Sequence, residues 1–142
     1  MSETVIDRES FTFEFERSLR ASREDVFDAW TRPEQISEWW DPTGTRLAGC
    51  TVDLRVGGGF SFENSGHSQP FAGTYTVVER PSKLVFEVMG SVGTVLLESE
   101  GKTTRMRVSI RCATAEQLEQ FIQIGVGVNT EKTLDNLVRY LK

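Results

Sequence analysis

The side chains able to move a proton are few and scattered. His67 is the sole histidine, and so the only side chain whose ordinary pKa lies near neutrality. It sits in the polar run Asn64-Ser65-Gly66-His67-Ser68-Gln69, with no partner at a spacing that would orient it as a general base. Asp53 and Arg55 stand two apart and share one face of any strand through them. That pattern suits a solvated ion pair or, turned inward, a contact for a polar ligand group. Tyr75 has a hydroxyl that needs a partner if buried. Glu98 falls, with Glu14, Glu16, Glu63 and Glu87, mainly on the polar phase of its segment. Asp53, His67, Tyr75 and Glu98 are therefore the candidates for acid/base work, and no carboxylate pair is singled out. Arg105, Arg107 and Arg111 form a basic strip suited to pairing with those glutamates. Gly57-Gly58-Gly59 is not a P-loop, because no Lys-Ser/Thr follows and strand-like residues flank it. A lone histidine with two distant cysteines, Cys50 and Cys112, does not make up the three or four N/S ligands of a transition-metal site. No metal and no cofactor are expected.

The aromatic side chains stand out more. Phe occurs nine times and Trp three times, against two Tyr. Phe60, Phe62, Tyr75 and Phe86 lie on successive strand-like segments at positions that can share a face. Their function depends on the elements that carry them. Phe11-Thr12-Phe13-Glu14-Phe15-Glu16 alternates strictly and reads as a half-buried strand with three Phe on one side. Ser22 is a helix N-cap for Arg23 to Trp30, with acidic residues in the first turn. Val26, Phe27 and Trp30 fall on one face of that helix. Thr31-Arg32-Pro33 breaks it, and Pro33 opens a second short helix running to Trp40. Asp41-Pro42-Thr43-Gly44 then turns the chain.

From about Thr45 to Cys112 the pattern predicts six strands. Cys50, Val52, Leu54 and Val56 share one phase, as do Phe60 and Phe62, then Phe71, Tyr75 and Val77. Gly73 marks a bulge or a close approach. Leu84, Phe86 and Val88 follow, and Met106, Val108 and Ile110 close the series. Clean alternation implies an antiparallel sheet with one wet face. Thr114 caps a C-terminal helix, with stripes at Leu118, Phe121 and Ile122 and at Leu134, Leu137, Val138 and Leu141. The stripes are out of phase across Gly125-Val126-Gly127, so a kink or break is expected there. The sheet must curl around this long helix to cover its apolar face. The predicted class is α+β, one domain over 1–142, with two short helices after the first strand.

Composition narrows the functions. The 142 residues carry 16 Lys+Arg against 21 Asp+Glu, a formal net charge of −5. That balance argues against nucleic acid and against a polybasic membrane anchor. No apolar run approaches the roughly 18–20 residues of a membrane span. The acidic start Met1–Asp7 has no signal-like apolar run, so a cytoplasmic location and reduced thiols are expected.

Several motifs together resemble one family. These are Pro33-Glu34-Gln35-Ile36-Ser37-Glu38-Trp39-Trp40-Asp41-Pro42, Asp53-Leu54-Arg55-Val56-Gly57-Gly58-Gly59-Phe60, Phe71-Ala72-Gly73-Thr74-Tyr75 and Pro81-Ser82-Lys83-Leu84-Val85-Phe86. The chain from about Phe11 to Leu141 resembles the activator of heat-shock protein 90 ATPase homologue-like family, within the START-like (SRPBCC, birch-pollen-allergen-like) superfamily. The resemblance implies a helix-grip fold. It departs from the pattern where Val128, rather than Trp, follows Gly127.

The expected function is binding of a small hydrophobic or aromatic molecule between sheet and C-terminal helix. Phe60, Phe62, Phe86 and Val88 would form the wall, Phe121 the helix side, Trp40 the mouth, and Tyr75 a hydrogen bond. A binder is expected rather than an enzyme. The alternatives are a polyketide cyclase/dehydratase-like enzyme using the same cavity and a module regulating a chaperone ATPase. A homodimer is left open.

Overall fold

Alternating apolar and polar residues set most of the strands, and short turns join neighbours antiparallel. The computed structural model describes residues 4–64 and 70–142. Its elements are β1 (Val5–Asp7), β2 (Thr12–Leu19), α1 (Arg23–Thr31), α2 (Pro33–Trp39), β3 (Gly49–Val52), β4 (Gly59–Glu63), β5 (Phe71–Glu79), β6 (Lys83–Val88), β7 (Ser91–Glu100), β8 (Thr103–Arg111), α3 (Ala115–Gln123) and α4 (Val126–Tyr140). Among the described residues the strands form one curved antiparallel sheet in the order β1-β2-β8-β7-β6-β5-β4-β3. Because β2 pairs with β8, the α1–α2 excursion carries the chain from one side of the sheet to the opposite edge at β3. This is the expected helix-grip arrangement.

The concave face buries Phe13, Phe15 and Leu19 of β2, Val95 and Leu97 of β7, and Met106 and Val108 of β8. Leu134 and Leu137 of α4 are buried with them in the same core. Each such side chain contributes roughly 1.5–3 kcal/mol on leaving water. Caps form as the sequence implies: the Asp25 N–H donates to Ser22 Oγ at 3.1 Å, and the Gln117 N–H donates to Thr114 Oγ1 at 3.0 Å. Arg17 is an exception to the apolar inner phase of β2. Its side chain is 9% exposed and pairs with Asp135 at 3.1 Å and Glu131 at 3.9 Å on α4. A charge on the core-facing phase therefore meets carboxylates from the gripped helix.

Four expectations need correction. The acidic N-terminus supplies an additional edge strand, β1, with Val5 opposite Glu14; three residues are too few for periodicity to reveal. Phe11 precedes β2 with φ 57°, so only Phe13 and Phe15 of the three Phe occupy its buried face. The strand through Cys50 stops at Val52. Beyond it, Arg55 N–H donates to Asp53 O and Gly58 N–H to Arg55 O, and these turns leave Leu54 and Val56 exposed. Gly73 is a close approach, where a Cβ would stand 2.3 Å from Glu87 O. The register shift comes later, between Tyr75 and Val77, and it turns Val78 rather than Val77 towards the core. Gly125, at φ 84°, separates α3 from α4, and only glycine adopts that conformation without cost.

Candidate functional site

The concave side of the sheet has two ends of different character. At one end, α1 and α2 present Trp30, Trp39 and Trp40 to β4, β5 and β6. The rings of Trp30 and Trp39 meet edge-on at 4.9 Å, and Trp39 and Trp40 at 5.6 Å. Trp40 continues the chain of rings to Phe62 and Phe71, each at 5.0 Å. Phe60 lies 5.1 Å from Phe62, 5.0 Å from Tyr75 and 5.6 Å from Phe86. Offset and edge-to-face contacts of this kind add to plain burial. The two buried indoles are also hydrogen-bonded, Trp39 Nε1 donating to Ala29 O at 3.0 Å and Trp30 Nε1 to Met106 Sδ at 3.4 Å. The space left among these rings is about 10 Å³, barely enough for one water.

Phe60, Phe62 and Tyr75 lie in this packed cluster. The Tyr75 hydroxyl makes no hydrogen bond to another described residue, and burial, reinforced by nearby Cys50, raises its pKa above the ordinary phenol range. Burial likewise pushes the half-buried Cys50 thiol up to about 11, against a hydrogen bond with Ser37 that works the other way.

At the other end the sheet faces the junction of α3 and α4, and a cavity of about 300 Å³ opens. Trp30, Trp40, Phe71 and Phe86 form the wall it shares with the cluster. Val88 comes from β6, Val108 and Ile110 from β8, Phe121 from α3, and Val126, Thr130 and Leu134 from α4. Four of the sequence-derived site residues, Trp40, Phe86, Val88 and Phe121, thus meet on one cavity, and Phe60, Phe62 and Tyr75 do not line it.

The cavity exists for identifiable reasons. The Gly125 break ends α3 before it can continue straight across the sheet. Gly93 has no side chain, and the Phe86 ring lies over it; a Cβ there would stand 2.4 Å from Phe86 Cε2. At the mouth, Met89 and Ile124 are each 68% exposed. Met89 and Gly90 form the two-residue β6–β7 turn with φ 52° and 78°, the positive values that a tight hairpin requires. Gln117 pins this turn to α3, its Nε2 donating to Met89 O at 2.7 Å while its Oε1 accepts from Ala113 N–H at 2.7 Å.

Polar groups on the lining fall into two sets. Ser91 Oγ donates to Val88 O at 2.6 Å, Thr133 Oγ1 to Trp40 O at 3.0 Å, and Asn64 Nδ2 to Asp41 Oδ2 at 2.8 Å. Asp41, itself buried, also accepts from Thr43, and its carbonyl accepts from Asn136 Nδ2 at 2.9 Å. These bonds tie the end of α2 to α4 and thereby fix the Trp40 wall. The second set is Asn129 and Thr130, whose side chains have no hydrogen-bond partner among the described residues; the Trp40 indole N–H, a donor only, also has none.

The remaining acid/base candidates lie elsewhere. Asp53 and Arg55 form an exposed ion pair at 2.9 Å. Glu98 points from the outer face of β7 into solvent. His67 lies outside the described residues. A broad depression of about 770 Å³ on the outer face of the sheet is bordered by Glu14, Glu16, Arg105 and Arg107. There Arg105 pairs with Glu16 at 3.3 Å and Glu100 at 2.9 Å. That surface is a solvated set of ion pairs and encloses nothing.

Periodicity alone did not single out Asn129, Thr130, Thr133, Val108 or Ile110 as lining. A usable signal was present: Thr130 and Thr133 interrupt the otherwise apolar stripe that runs from Val126 to Leu137.

The family described as Activator of Hsp90 ATPase homolog 1-like protein matches residues 20–142. No curated protein matches. Among solved structures, a protein from Rhodobacter sphaeroides superposes with a TM-score of 0.86 at 19% identity, over 99% of this chain and 98% of its own. A protein from Nitrosomonas europaea gives 0.85 at 23% identity, over 96% of both chains. A protein from Mycobacterium smegmatis gives 0.81 at 18% identity, over 98% of this chain and 96% of its own. At these identities the likeness is one of fold. No helix among the described residues is long and apolar enough to cross a membrane.

Proposed function

The chain belongs to the Activator of Hsp90 ATPase homolog 1-like protein family, and from that premise we propose that it binds a small hydrophobic or aromatic molecule between the curved sheet and the α3–α4 junction. The observation that carries this reading is the cavity of about 300 Å³, at the lower end of the roughly 300–1,000 Å³ usual for ligand sites. Its walls are apolar and aromatic. Trp40, Phe86, Val88 and Phe121 contact the ligand, while Phe60, Phe62 and Tyr75 form the rigid backing behind them. Exposed Met89 and Ile124 give an apolar molecule a continuous path from solvent to the interior.

Proton-transfer chemistry has weaker support. Tyr75, the buried member of the candidate set, sits in the packed cluster, and its raised pKa keeps the phenol protonated. The family name carries a chaperone, but the feature on which this reading stands has the size of a small molecule.

Native mass spectrometry of the protein as purified tests the proposal, together with an NMR titration using naphthalene. Shifts are expected at Val126–Thr133, Phe121 and the Trp40 indole. Val126→Phe fills the cavity from the first turn of α4 and is expected to abolish binding while changing stability by no more than about 1–2 kcal/mol. Retained binding in that folded variant, or shifts confined to the outer sheet face, would overturn the assignment.

A further inference from the structure

Resting on the cavity reading above, we propose that this site selects uncharged ligands with one hydrogen-bonding group, and that Asn129 and Thr130 at the mouth read that group. The lining supplies the first half of the argument. Among the described residues that border the cavity there is no Asp, Glu, Lys, Arg, His, Cys or Tyr. An ionised group carried into that space would lose its hydration and gain no counter-charge, a cost far above that of burying a neutral hydroxyl. The cavity therefore discriminates by charge before it discriminates by shape.

The second half comes from a count of hydrogen bonds. Three polar side chains on the lining are spent on holding the fold, Ser91 on Val88 O, Thr133 on Trp40 O and Asn64 on Asp41. Ser109 belongs to the outward phase of β8 with Arg107 and Arg111, so it offers the cavity backbone rather than a hydroxyl. The Trp40 indole N–H also has no described partner, but it can only donate; Asn129 and Thr130 are the uncommitted side chains on the described lining that can both donate and accept. Thr31 and Ser37, on α1 and α2, bond back to the carbonyl four residues earlier, to Phe27 O at 2.8 Å and Pro33 O at 2.7 Å, and Thr133 of α4 bonds Trp40 O instead. Thr130 makes no such bond. The Asn129 amide lies beside the α3–α4 break, with Nδ2 3.8 Å from where a Cβ on Gly125 would stand, and it too is uncommitted. Both residues lie on the first turns of α4, next to Ile124 at the mouth.

A ligand seated with its apolar body against Phe86 and Phe121 would direct a polar end towards this pair. Amide and hydroxyl each donate and accept. The pair therefore suits a hydroxyl or a carbonyl equally and has no charge to offer a carboxylate.

Three probes of one ring system test the proposal at pH 7 by NMR titration: naphthalene, 2-naphthol and 2-naphthoate. The expected order is 2-naphthol tightest, naphthalene next, and 2-naphthoate at least tenfold weaker than 2-naphthol. A single neutral hydrogen bond corresponds to about a threefold to tenfold gain of 2-naphthol over naphthalene. In the Asn129→Leu/Thr130→Val double variant that gain falls to about one, while naphthalene binding persists and shows that the cavity is intact. Equal binding of 2-naphthoate would overturn the charge selection and leave the cavity reading standing. Persistence of the hydroxyl gain in the double variant would overturn the assignment to Asn129 and Thr130. Failure of all three probes would overturn the cavity reading itself.

Discussion

The two ends of the concave sheet face are built from the same kinds of residue and differ in what opposes them. Where α1 and α2 bring three Trp against Phe60, Phe62, Phe71 and Tyr75, about 10 Å³ remains empty. Where the broken α3–α4 junction opposes Phe86, Val88 and Val108, about 300 Å³ remains. Trp30, Trp40, Phe71 and Phe86 belong to both, as one wall with a solid side and an open side. An aromatic surplus therefore does not decide between core and cavity. The opposing element decides, through helix continuity and side-chain volume: Trp39 and Ile36 of unbroken α2 fill the packed end, whereas the interrupted α3–α4 junction brings only Val126 and Thr130 to the other.

The largest test of this contrast is truncation on each side. Trp39 is 1% exposed and hydrogen-bonded to Ala29 O, so Trp39→Ala is expected to cost about 3–5 kcal/mol. Phe121→Ala is expected to cost distinctly less, because a ring with one side on a cavity already forgoes packing contacts there. Urea midpoints for the two variants, with unchanged m values, give the comparison. Equal losses would mean that the cavity end is packed in solution.

The same contrast explains what the sequence could and could not reveal. Strands, caps and the helix break are local: Ser22, Pro33, Thr114 and Gly125 each act within a few residues, and each has its predicted role. The placement of Phe60 and Phe62 against Phe86 is not local. All three have the same inward phase, and only the path of α2 and α4 across the sheet assigns them to the cluster or to its boundary. Leu54 and Val56 failed for another reason. Alternation continued through Arg55, but the Asp53–Gly58 backbone bonds form turns that a period of two cannot register. Arg17 kept the inward phase while carrying a charge, because Asp135 and Glu131 arrive from more than a hundred residues away.

A pair of glycines sharpens the comparison at smaller energy. A Cβ at Gly73 would stand 2.3 Å from Glu87 O, 2.5 Å from Val88 Cγ2 and 2.8 Å from Phe60 Cζ, hemmed in by backbone and by side chains on both sides of the shared wall. A Cβ at Gly93 meets the Phe86 ring instead, at 2.4 Å, and that ring has the cavity beside it. Gly73→Ala is accordingly expected to cost about 1–3 kcal/mol as overpacking. Gly93→Ala should cost less, with Phe86 displaced into the cavity and naphthalene affinity lowered. Thermal or urea denaturation with a parallel naphthalene titration reads both. The reverse ranking would show that the wall at Phe86 cannot move.

The smallest effect separates the two ends by pH. Described residues lining the cavity include no titratable side chain, whereas Cys50 and Tyr75 stand together at the packed end. The Cys50 thiol moves from an ordinary 9.0 to about 11 in the fold, with its neutral form favoured by burial. Between those values the unfolded chain has released a proton that the folded chain retains, so rising pH favours unfolding. Stability should thus be fully present below pH 9 and decline towards about pH 11, with Tyr75 adding to the decline from the ordinary phenol range upward. Cys50→Ala should reduce the first part of that slope, leaving the share of Cys112, whose thiol is also pushed up by burial, and the Tyr75 part. Naphthalene binding to the folded protein should stay constant across the same range, since no described residue lining the cavity changes charge. A binding curve that falls in step with stability between pH 9 and 11 would couple the two ends through the shared wall of Trp30, Trp40, Phe71 and Phe86 and break the separation drawn between them.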